Sequence, residues 1–104
     1  YMRGDANAMN TEEVQGFNLF MGKAKCGTCH FMPLFNGTVP PNFQKTESEV
    51  LGTPADAGGT QPDKDEGRWK MHPLPQLLQS FKTPTVRNAA LTAPYMHNGV
   101  YGSL

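Results

Sequence analysis

Residues 26–30 read Cys-Gly-Thr-Cys-His, and this stretch decides how the rest of the chain can fold. On a helical turn, residues three and four positions apart share a face, so Cys26 and Cys29 can reach one bound group together. His30 follows four residues after Cys26 and can come round beside it. Two thiols and an imidazole at this spacing form the attachment motif of a c-type haem. The sequence therefore predicts one covalent haem c, joined through both thiols, with His30 as the first axial ligand of the iron.

Other chemistries also use a Cys-x-x-Cys pair. A thiol-disulfide oxidoreductase carries it within a βαβ unit, and no strand pattern flanks Cys26 in this sequence. Half of a zinc site would need two more thiols or imidazoles at regular spacing. The remaining histidines, His72 and His97, are too far apart along the chain for a paired zinc motif. The oxidoreductase and the zinc site remain as alternatives to the haem.

The composition restricts both size and function. The chain has 104 residues and a formal net charge of zero, which predicts one small domain over residues 1–104 and no nucleic-acid partner. No apolar run approaches the roughly 20 residues of a membrane span. The 11 glycines and 9 prolines predict a loop-rich chain. A core of this kind needs outside help, such as a cofactor.

Local patterns predict short helices separated by long loops. Asn10 and Glu13 form a capping-box pattern, and apolar residues at three- and four-residue steps then predict an amphipathic helix over residues 10–25. Prolines interrupt residues 32–68, which we expect to form a loop that wraps the haem. Two further short helices are expected after prolines, over residues 76–80 and 85–91.

Spacing alone does not identify the second axial ligand of the iron. A low-spin electron-transfer haem usually has a Met or a His there. The downstream residues of these types are Met32, Met71, His72, Met96 and His97. Met32 follows His30 too closely to reach the opposite face of the haem. Met71 and Met96 lie far enough along the chain and stay open as ligands, although each would serve equally well as a packing residue.

The sequence around the attachment motif supports a family resemblance. Before it stands Phe-Met-Gly-Lys-Ala at residues 20–24, and after it Phe-Met-Pro-Leu-Phe at residues 31–35. Residues 65–68 read Asp-Glu-Gly-Arg, and residues 81–99 read Phe-Lys-Thr-Pro-Thr-Val-Arg-Asn-Ala-Ala-Leu-Thr-Ala-Pro-Tyr-Met-His-Asn-Gly. Over residues 16–104 the chain resembles the second, electron-accepting haem domain of bacterial di-haem cytochrome c peroxidases and their MauG-type relatives.

The resemblance implies an all-α, cytochrome c-like domain with short helices and long loops wrapped around one haem c. In the peroxidases such a domain receives electrons from a small donor protein. A partner haem domain then reduces hydrogen peroxide to water; in MauG-type relatives the pair oxidises a protein substrate. On this basis the chain is an apparent fragment of a longer, periplasmic di-haem protein, and by itself it is expected only to transfer electrons.

The resemblance also assigns roles to single residues. Arg68 and Arg87 match family arginines, and we expect at least one to pair with a haem propionate, because a guanidinium binds a carboxylate through two hydrogen bonds. The backbone carbonyls of Thr92 and Pro94 match positions that bind a calcium ion between the two domains. A further protein ligand to that calcium comes from the other domain.

The family's sixth haem ligand, a Met or a Tyr, lies beyond the position that matches Leu104. A closed second axial site within this chain would therefore have to use Met71 or Met96. Such a site is required by the alternative function, a stand-alone mono-haem electron carrier. A thiol-disulfide oxidoreductase without haem is the more remote alternative.

Overall fold

The computed structural model describes residues 3–104, so Tyr1 and Met2 of the predicted single unit lie outside the described residues. Helix α1 spans Thr11–Met21, and strands β1 (Ser48–Glu49) and β2 (Phe81–Lys82) pair antiparallel, with Ser48 opposite Lys82. The described part of the chain adds single turns of 3-10 helix at Cys26–Thr28, Arg68–Lys70, Pro75–Leu77 and Ala89–Leu91. None of its helices is long and apolar enough to cross a membrane.

The prediction of an all-α fold is wrong. Within residues 3–104 the single α-helix has 11 residues, a two-stranded antiparallel sheet is present, and most of the chain is turn and loop. The helices expected over 76–80 and 85–91 shrink to the 3-10 turns Pro75–Leu77 and Ala89–Leu91. The left-handed backbones of Gln79, with φ of 56°, and Asn88, with φ of 57°, interrupt these two segments, because an α-helix does not accommodate such a residue.

The predicted start of the first helix is confirmed, and its predicted end is wrong. Asn10 Oδ1 accepts the Glu13 N–H at 2.9 Å, and Glu13 Oε2 accepts the Asn10 N–H at 2.8 Å, which completes the capping box. The helix ends at Met21 rather than at residue 25. Lys25 has a left-handed backbone with φ of 59°, which no α-helix accommodates, so the attachment motif begins a new turn.

The long loop is held against the downstream motif by backbone hydrogen bonds. The Gly37 N–H donates to the Thr83 carbonyl at 3.1 Å, and the Gly37 carbonyl accepts the Glu47 N–H at 2.8 Å. A Cβ at position 37 would stand 2.9 Å from Thr83 Cβ, so glycine allows the two segments to lie this close. The loop predicted over residues 32–68 is thus confirmed, apart from the two residues of β1 and Arg68, where a 3-10 turn begins.

Burial in this fold is polar rather than apolar. Within residues 3–104 no large hydrophobic side chain is buried, and the buried polar side chains are Thr53, Ser80 and Thr83. Ser80 is 1 % exposed and donates its hydroxyl to Ser48 Oγ at 2.8 Å, which links β2 to β1. Some of the half-buried apolar and aromatic side chains, namely Phe81, Val86, Ala89 and Tyr95, line a cavity.

Candidate haem-attachment site

The attachment motif forms a tight 3-10 turn directly after α1. The Lys25 carbonyl accepts the Thr28 N–H at 3.1 Å and the Thr28 hydroxyl at 2.6 Å. The Cys26 carbonyl then accepts the N–H groups of Cys29 at 3.3 Å and His30 at 3.0 Å. These bonds hold Cys26, Cys29 and His30 in one compact turn.

The donor set of this turn suits a thioether-linked haem. Cys26 and Cys29 are both free thiols and both half-buried, as addition to two vinyl groups requires. No group of three or more His, Cys, Asp or Glu side chains within residues 3–104 could hold a metal ion. The residues that the structure describes therefore do not build the four-ligand zinc site considered as an alternative.

His30 is oriented by two backbone carbonyls from different segments. Its Nδ1 lies 3.2 Å from the Phe35 carbonyl oxygen and 3.0 Å from the Pro84 carbonyl oxygen. Because carbonyls only accept, Nδ1 carries a proton in this arrangement, and a neutral ring then has its lone pair on Nε2. A metal-binding imidazole is typically held through its other nitrogen in this way, which fixes the ring and raises the basicity of the ligand.

Helix α1 supports the imidazole from the side. The Phe20 ring lies 6.2 Å from the His30 ring and 5.8 Å from the Phe35 ring, centroid to centroid. The two phenylalanine rings meet edge to face at 74°, a favoured aromatic geometry. The apolar face of α1 thus reaches the attachment site through Phe20.

A cavity of about 560 Å³ opens beside Cys29 and His30. This volume falls within the roughly 300–1,000 Å³ of typical cofactor and ligand sites. Its apolar wall is formed by the side chains of Leu51, Phe81, Val86, Ala89, Pro94 and Met96. Cys26 does not line this cavity, but an apolar wall next to the Cys29 thiol and the His30 imidazole fits the flat, apolar face of a porphyrin.

Thr83 provides a second test of this fit. It is 6 % exposed, it lines the same cavity, and its hydroxyl has no hydrogen-bond partner within the described residues. A buried hydroxyl without a partner costs about 1–3 kcal/mol, so such a group usually meets one in the functional state. A haem carries carboxylate groups that accept hydrogen bonds, so the residues present fit a haem c.

The two methionines considered as second axial ligands lie in different places. Met96 lines the cavity of Cys29 and His30, and its backbone is left-handed with φ of 69°. Met71 is 73 % exposed and lines a separate cavity of about 720 Å³. The two cavities share both residues of β2, Phe81 and Lys82, as a wall. The structure therefore brings Met96, and not Met71, together with His30.

The two arginines also lie on different surfaces. Arg68 lines the cavity that contains Met71, where its Nη1 donates to Ser48 Oγ at 3.3 Å and lies 3.5 Å from the Thr46 carbonyl. Arg87 is exposed and directly follows a residue of the cavity beside His30. Neither arginine has a carboxylate partner among the salt bridges of residues 3–104.

Thr92 and Pro94 both line the cavity of His30. Both are exposed, and the Thr92 hydroxyl donates to the Ala89 carbonyl at 3.1 Å. The calcium expected at their backbone carbonyls stays a prediction.

A polar cluster around Asp63 was not anticipated from the sequence. Asp63 Oδ1 accepts the Asp65 N–H at 2.8 Å and lies 3.4 Å from His97 Nε2, while Oδ2 accepts an N–H of Asn98 at 3.2 Å. The bonds from Asp65 and Asn98, with His97 beside them, lower the pKa of the Asp63 carboxyl. The His97 ring stacks on Phe81 at 3.6 Å and 11°. The Asp-x-Asp spacing of residues 63–65 predicts the local turn in which Asp63 accepts the Asp65 N–H. No pattern in the sequence predicts the contacts of Asp63 with His97 and Asn98.

Known proteins resemble this chain over its whole length. A cytochrome-c peroxidase, IdrP1, of Pseudomonas sp. (strain SCT) is 36 % identical over 127 residues, covering 100 % of this chain and 32 % of the relative. The methylamine utilization protein MauG of Methylorubrum extorquens is 33 % identical over 103 residues, covering 97 % of this chain and 25 % of the relative. No protein-family model matches the chain.

A solved structure shows the same relationship. The crystal structure of a MauG-like protein associated with microbial copper homeostasis superimposes with a TM-score of 0.75 at 30 % identity, covering 100 % of this chain and 33 % of that one. The chain thus spans between 25 % and 33 % of the length of these three relatives. The resemblance to bacterial cytochrome c peroxidases and MauG-type proteins that was inferred from the sequence is confirmed, whereas the match to their second, electron-accepting domain stays a prediction.

The lowered pKa of Asp63 predicts a contribution to stability that acid removes. Its folded-state pKa lies below the usual value of 3.8, so the contribution is present above that value and is lost as the pH falls through the lower, folded-state pKa. In urea unfolding of the haem-loaded protein, Asp63→Asn should be less stable than wild type at about pH 6, and the difference should shrink by about pH 2. An equal difference at both pH values would contradict the assignment.

Proposed function

We propose that this chain, which is homologous over its whole length to a domain-sized third of the bacterial cytochrome c peroxidases and MauG, is a c-type haem domain that transfers electrons. The observation that carries the proposal is the geometry of His30. Its Nδ1 is held by two carbonyls, which leaves Nε2 available beside a cavity that Cys29 also lines. When bound, a haem supplies one-electron chemistry.

The residues of the chain prepare this site in three ways. Cys26 and Cys29 supply the two covalent links, so that the single haem stays in register with the turn. The carbonyls of Phe35 and Pro84 fix the tautomer and the plane of the His30 ring. The apolar wall of the cavity limits the access of water, which is one of the means by which a protein sets a haem potential.

The finer role rests on the same homology. We infer that the chain is the electron-accepting domain of a di-haem peroxidase, and that a second haem domain reduces hydrogen peroxide. A small donor protein would supply the electrons. The relatives are bacterial, and haem c is attached in an exported, oxidising compartment, so the location proposed is the periplasm.

Two accessory contacts belong to this proposal. Arg87 directly follows Val86 of the cavity wall, and Arg68 lines the neighbouring cavity; each carries a charge that suits a haem propionate. The backbone carbonyls of Thr92 and Pro94 would bind calcium at the contact with the second haem domain, which would contribute a further ligand.

Covalent attachment gives the first test. The intact mass of the protein expressed with a haem c maturation system should exceed that of the polypeptide by one haem. The variant Cys26→Ala/Cys29→Ala should lose this increment, because no thiol remains to form a thioether, and denaturation should then separate the haem from the chain. A wild-type mass equal to the bare polypeptide would instead support the thiol-disulfide oxidoreductase.

The division of labour between two domains gives a second prediction. The haem-loaded chain should be reduced and reoxidised reversibly by one electron per molecule, because it holds one attachment motif. Addition of hydrogen peroxide to the reduced chain should not start rapid, repeated turnover, because the peroxide-reducing haem is expected in the other domain. Turnover at the rate of a complete peroxidase would contradict an electron-transfer role.

A stand-alone mono-haem electron carrier is the second candidate function. It needs a second axial ligand within the chain, and one observation favours it: Met96 lines the same cavity as His30. A thioether at the opposite side of the iron would give the low-spin, electron-transfer type of haem.

The two methionines separate these candidate functions. If Met96 binds the iron, the oxidised protein should show the Met–iron charge-transfer absorption band, and Met96→Ala should abolish it because the thioether is lost. Met71→Ala is the matched control, since Met71 lies in the other cavity and its loss should leave the band unchanged. A wild type without the band would favour the domain of a di-haem protein, whose ligand lies outside this chain.

A further inference from the structure

We propose that Asp63 is a positioning residue for the haem cavity: its carboxylate anchors the turn over residues 95–99 and thereby fixes Met96 in the cavity wall. The proposal rests on the haem function proposed above. It concerns a residue that neither the attachment motif nor the family resemblance marks as part of the site.

The carboxylate binds two successive side chains of the turn. Asp63 Oδ1 lies 3.4 Å from His97 Nε2, and Oδ2 accepts an N–H from Asn98 at 3.2 Å. Asn98 makes two further bonds at this junction: its Nδ2 also donates to the Pro54 carbonyl at 2.9 Å, and its Oδ1 accepts the Val100 N–H at 3.2 Å. The tip of the turn is therefore attached by side chains to a loop more than thirty residues earlier.

The anchor itself is fixed by its own backbone. The Asp63 N–H donates to the Thr53 carbonyl at 2.8 Å, and the Asp63 carbonyl accepts from Gln79 Nε2 at 2.7 Å. Thr53 is buried and Gln79 directly precedes the buried Ser80. The backbone of Asp63 is thus held at both its N–H and its carbonyl. Its carboxylate therefore has a fixed point of origin and can position the turn.

Met96 needs such an anchor because its backbone is strained. A left-handed φ of 69° is uncommon for a residue with a side chain, and it persists only where the surroundings impose it. The base of the turn is closed by the Tyr95 N–H, which donates to the Tyr101 carbonyl at 2.7 Å. At the tip, the contacts that hold Met96 in this conformation are the bonds of Asp63 to His97 and Asn98 and the stacking of His97 on Phe81 at 3.6 Å.

The turn is at the same time a wall of the haem cavity. Tyr95, Met96 and His97 line it together with Phe81, the ring on which His97 stacks. Release of the turn would therefore change the shape of the cavity on that side. The attachment turn would keep its geometry, because His30 is held by the separate carbonyls of Phe35 and Pro84.

The test compares Asp63→Ala with Asp63→Asn in the haem-loaded protein, by amide hydrogen exchange and by circular dichroism of the Soret band. In Asp63→Ala, exchange at the Gly99 N–H, which donates to the Met96 carbonyl at 3.2 Å, should accelerate by about tenfold. Exchange at the His30 N–H should stay as in wild type, which separates a local release from general destabilisation. The Soret circular dichroism should change as the wall moves.

Two comparisons separate positioning from charge. Asp63→Asn removes the same charge but keeps an oxygen that accepts from Asn98, so its effects should be smaller than those of Asp63→Ala. Asp56→Ala is the matched control, since the Asp56 carboxylate bonds the Gly58 N–H of its own loop at 3.1 Å. It should leave both signals at the wild-type values. Asn98→Ala should reproduce part of the effect, and the effects of Asn98→Ala and Asp63→Ala should be less than additive, because the two side chains share one bond.

The outcomes are distinct. Equal effects of Asp63→Asn and Asp63→Ala would show that Asp63 acts only through its charge and would overturn the positioning role. An unchanged rate of exchange at the Gly99 N–H in Asp63→Ala would overturn it as well. If Asp63→Ala does not fold, Asp63→Asn and Asn98→Ala decide by the same two signals. A wild-type protein without a Soret band would overturn the haem function itself. If the wild type has the band and the Asp63 variants give the same exchange and circular dichroism as wild type, this proposal alone is overturned.

Discussion

The structure depends on the bond pair that holds His30 Nδ1. One acceptor, the Phe35 carbonyl, stands 5 residues from His30, and the other, the Pro84 carbonyl, stands 54 residues away. The imidazole has its orientation only when both segments are in place. Further bonds join the same segments, because the Thr85 hydroxyl donates to the Leu34 carbonyl at 2.7 Å and the Val86 N–H donates to the Phe35 carbonyl at 3.1 Å. The His30 ring and the two loop segments that contain Phe35 and Pro84 therefore hold one another in position.

This constraint explains how a chain with so little regular structure keeps a defined site. In a helical domain, backbone groups satisfy each other locally; here many bond across long sequence distances, as Gly37 does with Thr83 and Asp63 with Thr53. Buried backbone groups must be paired in either case. Prolines remove donors at many positions, so irregular pairing between loops replaces the helices that the resemblance implied.

Local signals made part of the site predictable. The Cys-x-x-Cys-His motif is read within five residues, and the capping box of Asn10 and Glu13 within four. What failed depends on distant contacts or on backbone conformation. No pattern of apolar residues in the sequence predicts the left-handed backbone of Lys25, which separates α1 from the motif. The pairing of β1 with β2 is not predicted by such a pattern either. The tether from Asp63 to His97 joins residues that no spacing rule connects.

The two sides of the cavity are held by different kinds of contact. On the side of His30 the acceptors are backbone carbonyls, which every residue possesses, so that side follows from the path of the chain. On the side of Met96 the contacts are a carboxylate, an amide and an aromatic ring, each specific to one side chain. The Asp63 side chain is 24 % exposed, so water and salt weaken its electrostatic part. A change of side chain can therefore alter the second wall while the attachment wall stays intact.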